Sequence, residues 1–569
     1  MLIAASVLLA LVFASCIFWV IAWISAWRFF RSSPVNTSFA PPVSILKPVR
    51  GVDKNAYDNF VTFCEQHYQQ FEIRFGVSDP DDPAIGIIQR LQANFPQCAI
   101  HLHIAPEIGA NDKSSVLHEL AQRAVNPILV ISDSDIRVTP QYLSAVVAPL
   151  EDPSIGLVTC LYRTRPEPRI AAILHAIYLD TSFLPCAIIG SRRRDAIYGF
   201  GATLALRKAD LERIGGYRAI ADYIADDFQL GAHLASLGLQ LKLSRHVVSH
   251  MVYGSSLPEQ LQRELRWARS LRTSTPWGYR GLVVIFTTPL SIALLIVNPM
   301  LGLAALPIAM LVRGMFGWWI LGKLNQHRLR RHLVWLPVRD CLWFMIWIGG
   351  LAGRRIIWRG RTMNMNKDGR VAPAPPTLLQ TVIRPVDAWL RRRQGIFEFT
   401  HDSRCMLRLS RSSADRDIRL SDGTQVQAGD PILDIHFWNE QIPKMNGSML
   451  KWATSARRQM ELSMAQLAEY VESEKSLHNI QIVRARAALV PRRGVGQLQR
   501  IAGSLRFEMH DPNRGLLQRG HDFMENFLLW GLLRAFNAGG LRKNQFIRER
   551  HELWISRETL IRNYTDKVH

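Results

Sequence analysis

Cysteine is scarce and scattered along this 569-residue chain. The seven residues, Cys16, Cys64, Cys98, Cys160, Cys186, Cys341 and Cys405, are odd in number and never stand in a CxxC spacing. That argues against a disulfide framework and a thiolate zinc site, and places the soluble parts in a reducing compartment. Acidic residues are short by comparison with basic ones, 47 against 69, for a formal net charge of +22. The basic excess flanks apolar runs: Arg28 and Arg31, then Arg328 to Arg331, then Arg354 to Arg361. Anionic phospholipid heads are therefore the expected partner, and nucleic acid is not. There is no internal repeat, and no low-complexity tract beyond one proline-rich stretch. Nor does any positive charge precede the first apolar run, as a cleaved signal peptide would require.

Apolar sequence is abundant, at 48% hydrophobic residues, but it is unevenly placed. Residues 2–27 carry no charge and are long enough to span a bilayer. With Arg28 and Arg31 behind them, they read as an uncleaved anchor (residues 1–27) whose N-terminus lies outside and whose following chain is cytosolic. Residues 281–321 form a second apolar tract, broken at Asn298-Pro299 and long enough for an out-and-back hairpin. Residues 336–352 are apolar but contain Arg339 and Asp340, with Arg354 and Arg355 behind them. The positive-inside rule disfavours a simple third span, so residues 281–356 are expected to be a hairpin plus a re-entrant or interfacial segment bent at Gly349-Gly350.

Between these membrane segments, residues 41–275 alternate strand-like and helical runs, the pattern of an α/β domain with a mostly parallel sheet. Strands are expected at 42–46, 71–77, 100–104 and from 128, and helices at 55–68, 84–94 and 112–125. The stretch 127–138 carries the strongest signal. Ile128, Leu129, Val130 and Ile131 read as a buried strand, and Asp133 and Asp135 follow at its C-terminal end, where ligands bind in open α/β sheets. Such a pair can hold Mg2+ or Mn2+ while a diphosphate completes the coordination, although Asp-Ser-Asp is equally a turn. Asp79 also follows an apolar strand. Asp226 and Asp227 open a helix, where Asp226 serves equally as an N-cap. Arg263 and Arg266 share a helix face, suited either to a diphosphate or to a solvated basic surface near lipid.

The proline-rich residues 371–385 are expected to be a stiff linker, and residues 386–569 a second, α+β domain. There, strands are expected at 396–399, 405–409 and 430–438, and helices at 450–474 and 522–536. His436, Asn439 and Glu440 form either a site or a satisfied turn.

Taken in order, Asp79, Asp133-Ser-Asp135, Asp226-Asp227 and Arg263-Glu-Leu-Arg266-Trp267 resemble the D, D, D, (Q/R)xxRW signature of membrane-bound, inverting family 2-type glycosyltransferases. The nearest branch is that of the ceramide glucosyltransferases and the hopanoid biosynthesis-associated glycosyltransferases. Residues 44–48, 78–84, 223–227 and 357–360 support it, and the resemblance covers residues 1 to about 370. It implies a GT-A domain with flanking transmembrane helices. Asp79 would hold the uridine, and Asp133 with Asp135 the divalent metal on the donor diphosphate. The ceramide branch proper often lacks the second acid of that pair, so Asp135 points to the wider family. Asp227 would be the general base, Arg263 and Arg266 would neutralise the leaving diphosphate, and Trp267 would border the acceptor. Lys47 and Lys113 are further donor-side residues on the same ground. Residues 429–440 resemble the YkoP-like domain. The expected protein is a multi-pass inner-membrane enzyme with a cytosolic catalytic domain, moving sugar from a UDP-sugar donor to a membrane lipid acceptor. The alternatives are a processive or polyprenyl-phosphate glycosyltransferase and a non-catalytic membrane scaffold.

Overall fold

The structure is a computed structural model of the whole chain. It describes residues 2–31, 38–192, 198–254, 256–358, 361–373, 378–400, 402, 404–438, 441–442, 449–487, 495–510 and 551–564. The chain forms two compact units, Met1–Ala374 and Pro375–His569.

The first unit opens with a long apolar helix, α1 (Leu2–Arg31). The α/β layer follows as β1 (Val43–Pro48), α2 (Ala56–Cys64), β2 (Phe71–Val77), α3 (Ala84–Asn94), β3 (Ala99–Ile104), α4 (Asp112–Arg123) and β4 (Ile128–Ile131). These strands pair in parallel, in the order β3-β2-β1-β4. All four residues of β4 are buried, because helices cover both faces of the sheet. Then come β5 (Ile136–Arg137), α5 (Tyr142–Val147), β6 (Ile155–Pro166), α6 (Ile170–Tyr178), a π-helical turn Leu179–Phe183 and α7 (Leu184–Gly190). The layer is completed by β7 (Leu204–Arg207), α8 (Lys208–Arg213), α9 (Asp226–Ser236) and β8 (Gln240–Val252).

This second half departs from the expected parallel arrangement. β7 runs antiparallel to both β4 and β6, and β5 antiparallel to β8, so the eight-stranded sheet is mixed. β6 and β8 are long parallel partners with two register shifts. Asp226 is not an N-cap: it is the first residue of α9, and Ala225 precedes it without a side-chain cap.

Helix α10 (Leu257–Ser274) starts with a capping box, Ser256 with Glu259. Behind it come α11 (Pro276–Gly281), α12 (Thr287–Val297), α13 (Pro299–Lys323), α14 (His327–Arg330) and α15 (Leu336–Leu351). Among the described residues, four helical stretches are long and apolar enough to cross a membrane: Leu2–Arg31, Ile170–Gly190, Pro299–Lys323 and His327–Leu351. A fifth candidate is broken, since Pro276–Ile285 and Thr287–Val297 meet at 65°. The stretch Ile170–Gly190 falls inside the region read as a soluble domain; 72% of its most apolar window is buried by the rest of the protein. The bend expected at Gly349-Gly350 is absent, because α15 runs through both glycines. Gly350 instead permits close approach: a Cβ there would lie 2.0 Å from the Tyr279 hydroxyl and 3.0 Å from Ala268 Cβ. The two charges within this apolar run are paired inside the protein. Arg339 meets Glu264 of α10, and Asp340 meets Arg313 of α13 (3.2 Å) and Thr288 of α12 (3.2 Å). A three-stranded sheet, β9 (Arg355–Trp358), β10 (Arg361–Met365) and β11 (Val371–Pro373), ends the unit. The first residues of the expected linker are therefore strand.

The second unit contains α16 (Leu378–Arg393), which takes in residues 378–385 of that linker, and β12 (Leu407–Ser413). A small hairpin follows, β13 (Ile418–Arg419) and β14 (Gln425–Val426), then β15 (Pro431–Phe437) and α17 (Met449–Ser473). The described chain continues with β16 (Ile482–Ala487), α18 (Val495–Ser504), β17 (Glu508–His510), β18 (His551–Ser556) and α19 (Arg557–Tyr564). The five-stranded sheet, in the order β12-β15-β16-β18-β17, packs Leu409, Leu433 and Val483 against Leu467, Ala468 and Leu560 of the helices. The run 396–399 contributes a single bridge, Phe397 to Leu409. His436 Nε2 and Ser410 Oγ share a hydrogen bond (2.8 Å). Asn439, Glu440, Arg359, Gly360, residues 374–376 and the helix expected at 522–536 lie outside the described residues.

Candidate active site

A cavity of about 170 Å³ opens at the C-terminal ends of β1, β2 and β4, lined by Arg50, Ser78, Lys113, Asp133, Ser134 and Asp135 among others. β4 delivers Asp133 and Asp135 as its last carboxylates, and their side chains remain 37% and 34% exposed. β1 delivers Lys47, fully buried beneath them, whose Nζ donates to the Asp133 carbonyl (2.7 Å) and lies over the Phe63 ring. Lys113 comes from the first turn of α4. Asn111 caps that turn, accepting from the Lys113 and Ser114 amides. The Asn111 amide group also donates to the Tyr223 carbonyl (2.8 Å), which ties α4 to the loop leading into Asp226 and Asp227. Lys113 Nζ thus bridges the two acidic clusters, 2.7 Å from Asp133 and 3.6 Å from Asp226.

Gly201 joins the same clusters through its backbone. Its N–H donates to Asp227 Oδ2 (3.1 Å), and its carbonyl accepts from the Asp133 N–H (3.2 Å). A Cβ at this position would lie 2.8 Å from Asp133 Oδ2 and 2.9 Å from Lys113 Nζ, which glycine avoids.

The electrostatics follow from crowding four carboxylates, Asp226 buried and the other three half-buried, among few cations. Burial lowers the Lys47 ammonium to about 7, although Asp133 and Asp135 oppose it. Burial disfavours the Lys113 charge too, but Asp133, Asp226 and Asp227 outweigh it and hold the amine above its ordinary range. Burial raises the Asp133 carboxyl, and Asp135 adds to it. Asp135 ends low because the His250 ring, 3.2 Å away, overcomes its burial. Burial, with Asp226 beside it, pushes Asp227 up to about 6.

Asp133 and Asp135 fit a divalent cation. They offer hard oxygen ligands facing a cavity, in a site rich in negative charge where Asp226 Oδ2 accepts no hydrogen bond. Among the described residues no group of three or more His, Cys, Asp or Glu side chains is placed to hold a metal, so these two carboxylates would need further oxygen ligands.

Asp79 follows Ser78 of the lining but is exposed, and its Oδ1 accepts from the Asp81 amide (3.0 Å). Arg263, Arg266 and Trp267 stand on α10. Arg263 is exposed and close enough to His250 to oppose its proton, while Arg266 and Trp267 are half-buried. Ring contacts run from Trp267 to His175 (5.5 Å), on to His250 (6.5 Å), and so to Asp135. Glu264, between the two arginines, anchors the helix. It is 1% exposed and takes Arg339 Nη2 (2.5 Å), Gln260 Nε2 (3.2 Å) and a hydrogen bond shared with His175 Nδ1 (2.8 Å). The structure therefore gathers Lys47, Lys113, Asp133, Asp135 and Asp227 directly, and α10 reaches them through His250.

Sequence reasoning did not single out His250, Asn111, Gly201 or Glu264. Glu264 lay within the Arg263–Trp267 motif already noted. His250 sits on β8, whose many polar residues hide its strand character.

Residues 7–371 match Glycosyl transferase family 21, and residues 396–564 match the YkoP domain. Ceramide glucosyltransferase 3 of Caenorhabditis elegans is 24% identical over 358 residues, covering 59% of this chain and 75% of its own length. Ceramide glucosyltransferase 1 of the same organism is 26% identical over 208 residues, 36% of this chain and 44% of its own. Among solved structures, a mannosyltransferase from Pyrobaculum calidifontis in complex with GDP-Man and Mn2+ aligns at 16% identity and a TM-score of 0.40, over 61% of this chain and 99% of its own. A mixed sheet with its acids at the strand ends, flanked by apolar helices and matched over most of its length, identifies the first unit: the chain belongs to glycosyl transferase family 21, ceramide glucosyltransferase-like enzymes of GT-A fold, with a YkoP domain at its C-terminus.

Proposed function

We propose that this glycosyltransferase moves a hexose or N-acetylhexosamine from a UDP-sugar to the hydroxyl of a membrane lipid, hopanoid or ceramide-like, with inversion at the anomeric carbon. The observation that carries the reading is Asp227: a carboxylate raised to about 6, sharing Gly201 with Asp133. At neutral pH it is ionised yet basic enough to take the acceptor hydroxyl's proton as the new bond forms. One displacement with one base inverts the centre; retention would need a nucleophile on the opposite face. Asp79 would hold the uridine, and Lys47 and Lys113 the donor side. Mg2+ or Mn2+ held by Asp133 and Asp135 would supply charge stabilisation for the departing diphosphate. Arg263 and Arg266 would neutralise the rest of that charge, with Trp267 bordering the acceptor. The apolar helices suit an enzyme of the inner membrane whose catalytic domain faces the cytosol and whose acceptor's head lies at the interface.

The test is to incubate membranes containing the chain with labelled UDP-glucose or UDP-N-acetylglucosamine and identify the extracted lipid product by mass spectrometry. A mono-glycosylated lipid is expected. Full transfer by Asp227→Asn would overturn the reading, and a long polysaccharide product would replace it with a processive synthase.

A further inference from the structure

We propose that α16 lies on the anionic surface of the bilayer through its outer face, giving the C-terminal unit a membrane contact of its own. The two faces of this helix are unlike. On one, Asp387 pairs with Arg391 (2.8 Å), and Arg391 reaches Glu398 (3.8 Å), which also binds Arg408 of β12 (3.0 Å). Ile383 and Leu390 are half-buried. This side is held by its own unit. The other side presents Pro385, Val386, Trp389, Arg392 and Arg393, at the three- and four-residue spacing of one helical stripe, all exposed. Val386 is 43% and Trp389 56% exposed, where a helix facing water alone would carry polar residues. The Arg393 guanidinium stands over the Trp389 ring at 5.4 Å.

A tryptophan at the centre of an apolar stripe, with arginines one turn further on, is the composition of an interfacial helix. The ring sits among head groups, and the guanidinium groups meet lipid phosphates while their stems cover apolar surface. Two further observations choose lipid as the occupant. The outer face of the last turn is basic, with Arg392 and Arg393 both exposed, which complements an anionic leaflet. In sequence, α16 begins a few residues after β11, on a chain that has recently left the candidate span His327–Leu351.

The experiment uses the full chain in lipid nanodiscs, with Trp389→p-benzoylphenylalanine as a photo-crosslinker and Leu390→p-benzoylphenylalanine as the inward control. Discs are made of phosphatidylcholine alone or of an equimolar mixture with phosphatidylglycerol. After illumination and digestion, mass spectrometry should find phospholipid adducts on the position-389 peptide, enriched with phosphatidylglycerol, and few at position 390. Adding Arg392→Gln and Arg393→Gln should reduce the phosphatidylglycerol preference by roughly an order of magnitude. Adducts from position 389 to protein alone, whether this chain or a second copy, would overturn the proposal. So would equal lipid labelling at both positions, or a lipid preference indifferent to the two arginines.

Discussion

Glu264→Leu probes the anchor of α10. Its carboxylate is 2% exposed and faces Arg339, itself 3% exposed, at 2.5 Å. Removing it leaves a buried guanidinium that keeps its hydrogen bond to the Leu174 carbonyl (3.0 Å) and its place over the Tyr178 ring (4.7 Å) but loses its closest carboxylate. Breaking one half of a buried ion pair costs about 3–5 kcal/mol, most of it from stranding the other charge. The double variant Glu264→Leu, Arg339→Met removes both charges at similar volume and should recover most of that loss. Thermal unfolding of the detergent-solubilised chain, followed by the fraction remaining monodisperse, should show the single variant lower by on the order of 10 °C and the double variant close to the parent. Transfer activity should fall with the single variant, since Arg263, Arg266 and Trp267 ride on this helix, and return with the double one. A single variant as stable as the parent, or a double variant no better than the single, would refute the claim that this pair holds the helix.

Three further outcomes are expected. Asp227→Asn should lower kcat by roughly 100- to 10,000-fold with little change in the donor KM, and the parent's rate should rise with pH through about 6 and level off above it, because the base works only when ionised; a flat profile in steady-state assays between acid and neutral pH would remove Asp227 from that role. Chelation by EDTA should abolish transfer and Mn2+ or Mg2+ should restore it, while Asp133→Asn with Asp135→Asn should not be rescued; activity unaffected by EDTA would exclude the metal role. Gly201→Ala forces a methyl group to within 3 Å of Asp133 and Lys113, so kcat/KM should drop on the order of a hundredfold with the fold intact by circular dichroism.

Much of the first sheet was legible because each of its early strands is a short apolar run followed by a helix with regular spacing. β2 and α3 fall on the residues expected, and β4 delivers its two acids as its position after an apolar run implied. β6 and β8 were not legible. β6 is buried along most of its length and shows no alternation, while β8 mixes Lys242, Ser244, Arg245 and His250 with its apolar residues. Their pairing is decided by each other, not by local preference. The same holds for Ile170–Gly190, which the sequence reading left unmarked inside the α/β domain: its burial depends on α1 and α13 packing around it. At the site, the acids announced themselves by position, whereas their partners did not. His250 and Asn111 act through neighbours more than a hundred residues away, and a glycine's closeness to a carboxylate leaves no mark on composition.

Because Gly201 gives its N–H to the carboxylate proposed as base and its carbonyl to the backbone of the proposed metal ligand, a single residue sets the gap between those groups. Neither half can be retuned without dragging the other. Under the proposed function, a change of acceptor would therefore fall on the aromatic and apolar helices and not on the Asp133–Gly201–Asp227 linkage.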